Sequence, residues 1–173
     1  MIGNKIFDCQ EMFRHACTFC ECADMALDKL QHDTADIGFY TSPAMINSAF
    51  ACEVFLKTML KYQGISMPKT HKLRELYDFL PDNLKEYVKQ TVSGGYDILW
   101  TNLWGTDYLD NISNLFVESR YIYEYDWSEG VTKNVNIGFL NCFRDALREA
   151  CCQMLFSTTW EEYKGSKNGE KER

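Results

Sequence analysis

Two charged residues sit where helical packing would place hydrocarbon. At about 100° per residue, Glu53 falls among Ile46, Ala49, Leu56 and Leu60, inside the apolar arc of the segment 43–63. An ionised carboxylate there costs several kcal/mol unless it is paired. Lys57, one turn on, can pair with it. Glu53 is therefore either half of a buried structural ion pair or an acid in, or directly behind, a site. The second residue is Arg120, in register with Ile112 and Phe116 at the edge of an inward face. Arginine keeps its charge, so it needs a carboxylate, a phosphate or a water-filled cleft. Glu53 and Glu124 are the natural acids. The segment after Arg120, with Tyr121, Tyr123, Glu124, Tyr125 and Asp126, is dense in hydroxyls and acids. A clamp between helices and a phosphate-binding or catalytic site both fit this pattern.

Other chemistry-bearing residues point less sharply. Cys17, Cys20 and Cys22, with Cys9 and His15 nearby, invite a zinc reading. A structural zinc ion normally takes four converging ligands, and on one helix Cys22 points away from Cys17 and Cys20. Buried or half-exposed thiols are the better reading, also for Cys151 and Cys152. No metal and no cofactor is expected. His71 stands at a helix start, where capping or packing is its ordinary use. Trp100 and Trp104 could stack bases, but an aromatic lid fits better because no basic residues interleave with them. Lys69, Lys72, Arg74, Lys85 and Lys89 alternate with Glu75, Asp78, Asp82 and Glu86, which reads as a mixed, solvated face.

The elements that must position these groups read as helices throughout. Residues 5–31 carry apolar positions at helical spacing, from Met12 and Phe13 to Leu27 and Leu30. Ser42-Pro43 predicts a cap and first turn for a helix to about Gln63, closed by Gly64. That helix is apolar nearly all round, so it belongs at the centre of a bundle. Thr70 is expected to cap a short helix 71–80, and Asp82 another over 83–92. Residues 96–105 read as an aromatic loop. Thr106 or Asp107 is expected to cap a helix to about Tyr125, and a last helix spans 133–163. The sequence thus predicts an all-α, up-and-down bundle of about five helices as one domain over residues 1–163, with a disordered tail at 164–173.

The 173 residues, 46% hydrophobic and 14% aromatic, suffice for a real core. The net charge of −7 argues against broad, sequence-blind binding to nucleic-acid phosphates but leaves room for a small local basic site. The opening residues Met1–Asp8 lack the apolar stretch of a secretion signal, and no apolar run is long enough to span a membrane. Eight cysteines in such a chain read as reduced thiols in the cytoplasm.

Three pieces in order carry a family resemblance. The first is Asn47-Ser48-Ala49-Phe50-Ala51-Cys52-Glu53-Val54-Phe55-Leu56-Lys57, an apolar helix with Glu and Lys. The second is Lys69-Thr70-His71-Lys72-Leu73-Arg74-Glu75-Leu76. The third is Phe116-Val117-Glu118-Ser119-Arg120-Tyr121-Ile122-Tyr123-Glu124. Together, over about residues 43–157, they resemble the HEPN domain family. The resemblance implies an all-helical bundle, often a homodimer with a cleft between protomers, and metal-independent ribonuclease activity in many members. Such members work in toxin–antitoxin, antiphage and RNA-processing systems, so RNA or a nucleotide, a second copy of the chain, and an antitoxin or other protein become expected partners. The family motif is an arginine followed by a histidine, with four to six residues between them. Here Arg120 is followed by no histidine; the chain's histidines are His15, His32 and His71. Arg120, Glu124, Tyr121 and Tyr123 are then the candidate catalytic residues, with Asn47, Glu53, Lys57 and His71 as binding or supporting residues. The alternative is a non-catalytic helical interaction module in which the Arg–Glu cluster only holds helices together.

Overall fold

A computed structural model describes residues 2–32, 37–93, 107–120 and 135–171. These form eight helices: α1 (Ile2–His32), α2 (Ile37–Gln63), α3 (Leu73–Asp78), α4 (Asp82–Ser93), α5 (Tyr108–Ile112), α6 (Leu115–Arg120), α7 (Ile137–Phe156) and α8 (Trp160–Lys171). No strand occurs among the described residues, so the expected all-α class holds. The expected elements are further divided by breaks at 113–114 and 157–159. None of the described helices is long and apolar enough to cross a membrane.

Helix α2 is the axis of the bundle. Ala49, Ala51, Cys52, Phe55, Leu56, Met59 and Leu60 are fully buried along it, and α1, α3, α6 and α7 all pack on it. Its contacts with α1 run antiparallel: Lys61 pairs with Asp8, Phe55 meets Phe13 and Phe50 meets Phe19. Contacts with α7 run parallel, from Ser48 with Asn141 and Arg144 to Phe55 with Cys151 and Gln63 with Met154.

Four boundaries differ from the sequence expectation. Helix α2 begins at Ile37, so Pro43 lies inside it rather than at its first turn. The missing proline amide costs one helical bond. Packing carries the helix past it, with Ala26 of α1 and Ala44 of α2 both buried at that end. Helix α3 starts at Leu73, with Lys72 as a cap residue that makes no side-chain cap bond. Thr70 instead accepts from the Lys72 amide.

The helix expected from Asp107 onward is broken at Ser113-Asn114. Asp107 does cap α5, accepting from the Leu109 amide at 2.8 Å. Ser113 then turns out of the helical ladder. Its carbonyl accepts from Leu73 N–H at 2.9 Å, and its hydroxyl accepts from Arg74 N–H at 3.0 Å. Ser113 thereby satisfies the first two amides of α3, which intrahelical bonds cannot reach.

The last expected helix is split at Ser157, which adopts the left-handed conformation (φ 55°, ψ 37°). A reciprocal cap follows: Glu162 accepts from Thr159 N–H at 3.0 Å, and Glu162 N–H donates to Thr159 Oγ1 at 3.3 Å. This is the capping box Thr-x-x-Glu, and it starts α8. That helix continues to Lys171, into the segment expected to be a disordered tail.

Candidate functional site

Glu53 is 2% exposed, on the face of α2 that meets α6 and the approach to α3. Its Oε1 accepts from Lys57 Nζ at 2.7 Å, one turn along the same helix. The same oxygen lies 2.9 Å from Nδ1 of His71, just before α3. The other oxygen, Oε2, is sealed from solvent and has no hydrogen-bond partner. A buried acceptor left unmatched costs about 1–3 kcal/mol. Cores avoid such an atom, whereas functional sites tolerate it.

His71 is the outward end of this pair: its side chain is 57% exposed, against 3% for that of Glu53. The cap that Ser113 places on α3 fixes the chain two residues downstream of His71. The imidazole lies beside Phe116 of α6, with ring centroids 6.1 Å apart. The Phe116 ring stacks on Phe50 of α2 at 4.7 Å, and Phe50 meets Phe19 of α1 edge-on at 4.6 Å. Phe116 of α6 is thus stacked on α2, and Phe19 of α1 backs the stack through Phe50.

Arg120 stands on the same ring. It is exposed, and its Cζ lies 4.4 Å from the Phe116 centroid, a cation–π contact. Phe116 and Arg120 are one turn apart on α6, so the ring and the guanidinium share a face. The structure thus brings His71 and Arg120, from different elements, to one aromatic platform. Lys57 lies behind His71, joined through Glu53. Asn47, higher on α2, donates to the Pro43 carbonyl at 2.8 Å and supports the helix beside the proline. Tyr121, Tyr123 and Glu124 lie outside the described residues, as do Trp100 and Trp104. The acid expected for Arg120, Glu53, hydrogen-bonds Lys57 and His71 instead.

A buried arginine escaped the sequence reading. Arg144 has a side chain only 5% exposed. It pairs with Asp24 of α1 at 2.8 Å and with Asp145 at 3.1 Å, and donates to Ser48 of α2 at 3.2 Å. Burial works against its charge, but Asp145, Cys20 and Asp24 outweigh this, so it sits above the ordinary arginine value. The signal was present: Arg144 lies four residues after Leu140 and three before Leu147, inside the apolar stripe of α7. It ties three helices together and touches nothing at the Phe116 platform that the structure records.

The cysteines form no metal cluster among the described residues, and all eight are free thiols. Burial pushes Cys20 up to about 11 and Cys152 up to about 12, and raises Cys17, Cys52 and Cys151 as well. A thiol held protonated is a poor nucleophile and a poor ligand.

What the arrangement offers is an exposed imidazole anchored by a buried carboxylate, a guanidinium on the same ring, and an ammonium behind them. That set can receive a phosphate and move a proton beside it. Comparison with known proteins agrees with the helical reading. The HEPN domain model matches residues 18–137, from within α1 to the first residue of α7. No curated protein and no solved structure matches the chain. The match takes in Glu53, His71 and Arg120 and spans more than half of the sequence: the chain belongs to the HEPN domain family.

Proposed function

We propose that the chain binds RNA at the Phe116 platform and cleaves it without a metal ion, with His71 standing in for the histidine missing after Arg120. The observation that carries this reading is the shared ring: Arg120 lies 4.4 Å over Phe116 and His71 lies 6.1 Å from it. In the step envisaged, the 2′-hydroxyl of RNA loses its proton to Nε2 of His71. Its oxygen forms a bond to the adjacent phosphorus, and the bond from phosphorus to the 5′-oxygen breaks. The proton returns, through solvent, to that leaving oxygen. Arg120 stabilises the charge that builds on the phosphoryl oxygens. Tyr121, Tyr123 and Glu124 follow directly in sequence and remain candidates to assist. A short footprint suits a chain of net charge −7, because phosphate contacts far from the platform would meet like charge.

A second reading keeps the family and drops the chemistry. Glu53 joins α2 to the segment before α3 through His71, which is what a structural clip in an interaction module would do. One experiment separates the two. A single-stranded RNA, labelled at its 5′ end, is incubated with the chain in excess EDTA. Fragments ending in a 2′,3′-cyclic phosphate support cleavage by this route. Intact RNA, together with no change in its fluorescence anisotropy, leaves the clip.

A further inference from the structure

The proposed site contains a carboxylate whose arrangement exceeds what holding two helices together requires. Lys57 and His71 both crowd onto Oε1 of Glu53, at 2.7 and 2.9 Å, while Oε2 is buried and unmatched. A strut would spread its donors over both oxygens and recover the lost bond. Here one oxygen serves both donors, and the carboxylate faces Lys57 and His71 together.

The hydrogen-bond roles follow from the atoms. Oε1 already accepts from the Lys57 ammonium, which can only donate. The contact with His71 therefore uses a proton on Nδ1, donated to Oε1. In a neutral imidazole only one nitrogen carries a proton, so Nε2 is left as the acceptor. With Nδ1 turned inward to Glu53, Nε2 lies on the outward edge of a ring that is 57% exposed, which is where a hydroxyl proton could be taken.

We infer that Glu53 is a positioning residue: it selects the Nδ1–H tautomer of His71 and holds the ring with its Nε2 lone pair outward beside Phe116. Lys57 holds Glu53 in turn. This inference rests on the RNA-cleaving reading for its consequence, but not for its geometry. In an unconstrained histidine the proton favours Nε2, which would block the outward nitrogen as a base. Loss of such an orienting carboxylate leaves the residues in place and removes the correct tautomer, as in other proton-transfer sites.

The test uses the full chain labelled with 15N. Two-bond nitrogen–proton correlation spectra report the tautomer of each histidine, and His71→Gln identifies the His71 signals. Neutral His71 is expected as Nδ1–H in the wild type, and chiefly as Nε2–H in Glu53→Gln. In RNA cleavage, Glu53→Gln is expected to lower kcat by up to about 10⁴-fold, with KM within about twofold because no contact to the RNA is lost. An Nε2–H tautomer in the wild type overturns the inference and needs no variant to fold. So does a Glu53→Gln chain with an unchanged tautomer and unchanged kcat. If the wild type cleaves no RNA, the reading of function fails, while the tautomer still decides the role of Glu53.

Discussion

The guanidinium of Arg120 stands 4.4 Å above the ring of Phe116 and is exposed to solvent. A cation–π contact at an exposed site contributes about 0.5–1 kcal/mol, far less than a buried ion pair would. Arg120→Ala should abolish RNA cleavage in a chain that keeps a cooperative melting transition, with loss of the ring contact itself accounting for about 1–4 °C of any fall in Tm. Arg120→Lys should keep the contact with the ring and recover only part of the activity, because an ammonium lacks the planar fork that matches a phosphate. Thermal melting and cleavage assays on the same preparations check this. An Arg120→Ala chain that still cuts RNA at the wild-type rate would refute the assignment.

The central helix, the burial of Glu53 and its pairing with Lys57 were legible because apolar spacing along one helix is a local property. So was Asp107 as a cap. The partner of Glu53 across the fold was not. His71 lies eighteen residues away, on the approach to another helix, and periodicity says nothing about which helices meet. The arginine that ties three helices together at a buried point was not singled out. Arg144 does that work, and its place in the apolar stripe of α7 was readable but passed over. The break at Ser113 was hidden for the same reason as the partner of Glu53. Asn111, Ser113 and Asn114 weaken a helix locally, but the amides of α3 that the break satisfies lie about forty residues away in sequence and could not be read from it.

That break yields its own prediction. Ser113 is 8% exposed, and its hydroxyl accepts from the Arg74 amide. Ser113→Ala leaves that amide without its side-chain acceptor and should cost about 1–2 kcal/mol. The α3 amides should also exchange faster, which hydrogen-exchange mass spectrometry on the peptide spanning 71–80 can read. Unchanged exchange there would mean that the carbonyl of Ser113 suffices as the cap.

The capping box at the start of α8 predicts an acid sensitivity. Hydrogen bonds from the Thr159 amide and from the hydroxyls of Thr158 and Thr159 hold Glu162 below its ordinary value of 4.5. A folded-state value below the unfolded one means that the contribution is present above pH 4.5 and fades as pH falls through the lower, folded value. Amide chemical shifts of Thr159 and Glu162 should therefore be constant above about pH 5.5 and move on acidification below the ordinary glutamate range. In Glu162→Gln this acid transition should vanish. Titration of these amides at the ordinary glutamate value would show that the box is not formed.

The thiols predict the opposite limb. Burial raises Cys20 to about 11 and Cys152 to about 12 from an ordinary value of 9.0. The unfolded chain can ionise these groups first, so their contribution is complete below pH 9 and is lost as pH rises through the folded values. The urea midpoint should fall between pH 8 and about pH 10.5 by more than in a chain with Cys20→Ala and Cys152→Ala. At neutral pH a thiol reagent should modify the exposed Cys22 first, with Cys9, Cys52 and Cys151 reacting only on unfolding. Rapid labelling of all eight would contradict the buried assignments.

Arg144 should behave as the reverse of Arg120. Its side chain joins Asp24 of α1, Asp145 of α7 and Ser48 of α2 at one buried point. Both aspartates are about half exposed, at 52% and 47%, so removing the guanidinium returns them to water rather than stranding them. The cost then comes from the cavity and from the lost inter-helix bonds, about 3 kcal/mol in all, or a fall in Tm of about 6–12 °C. Arg144→Met fills the space with hydrocarbon and should recover part of that loss, whereas Arg144→Lys cannot reach all three partners and should recover less. Melting curves for Arg144→Ala, Arg144→Met and Arg144→Lys give the order directly. A lysine variant as stable as the wild type would show that one ion pair, rather than the three-helix junction, carries the stability. With the platform at Phe116 intact, RNA cleavage by folded Arg144→Met should match the wild type, which separates the arginine that holds the bundle from the one proposed to meet RNA.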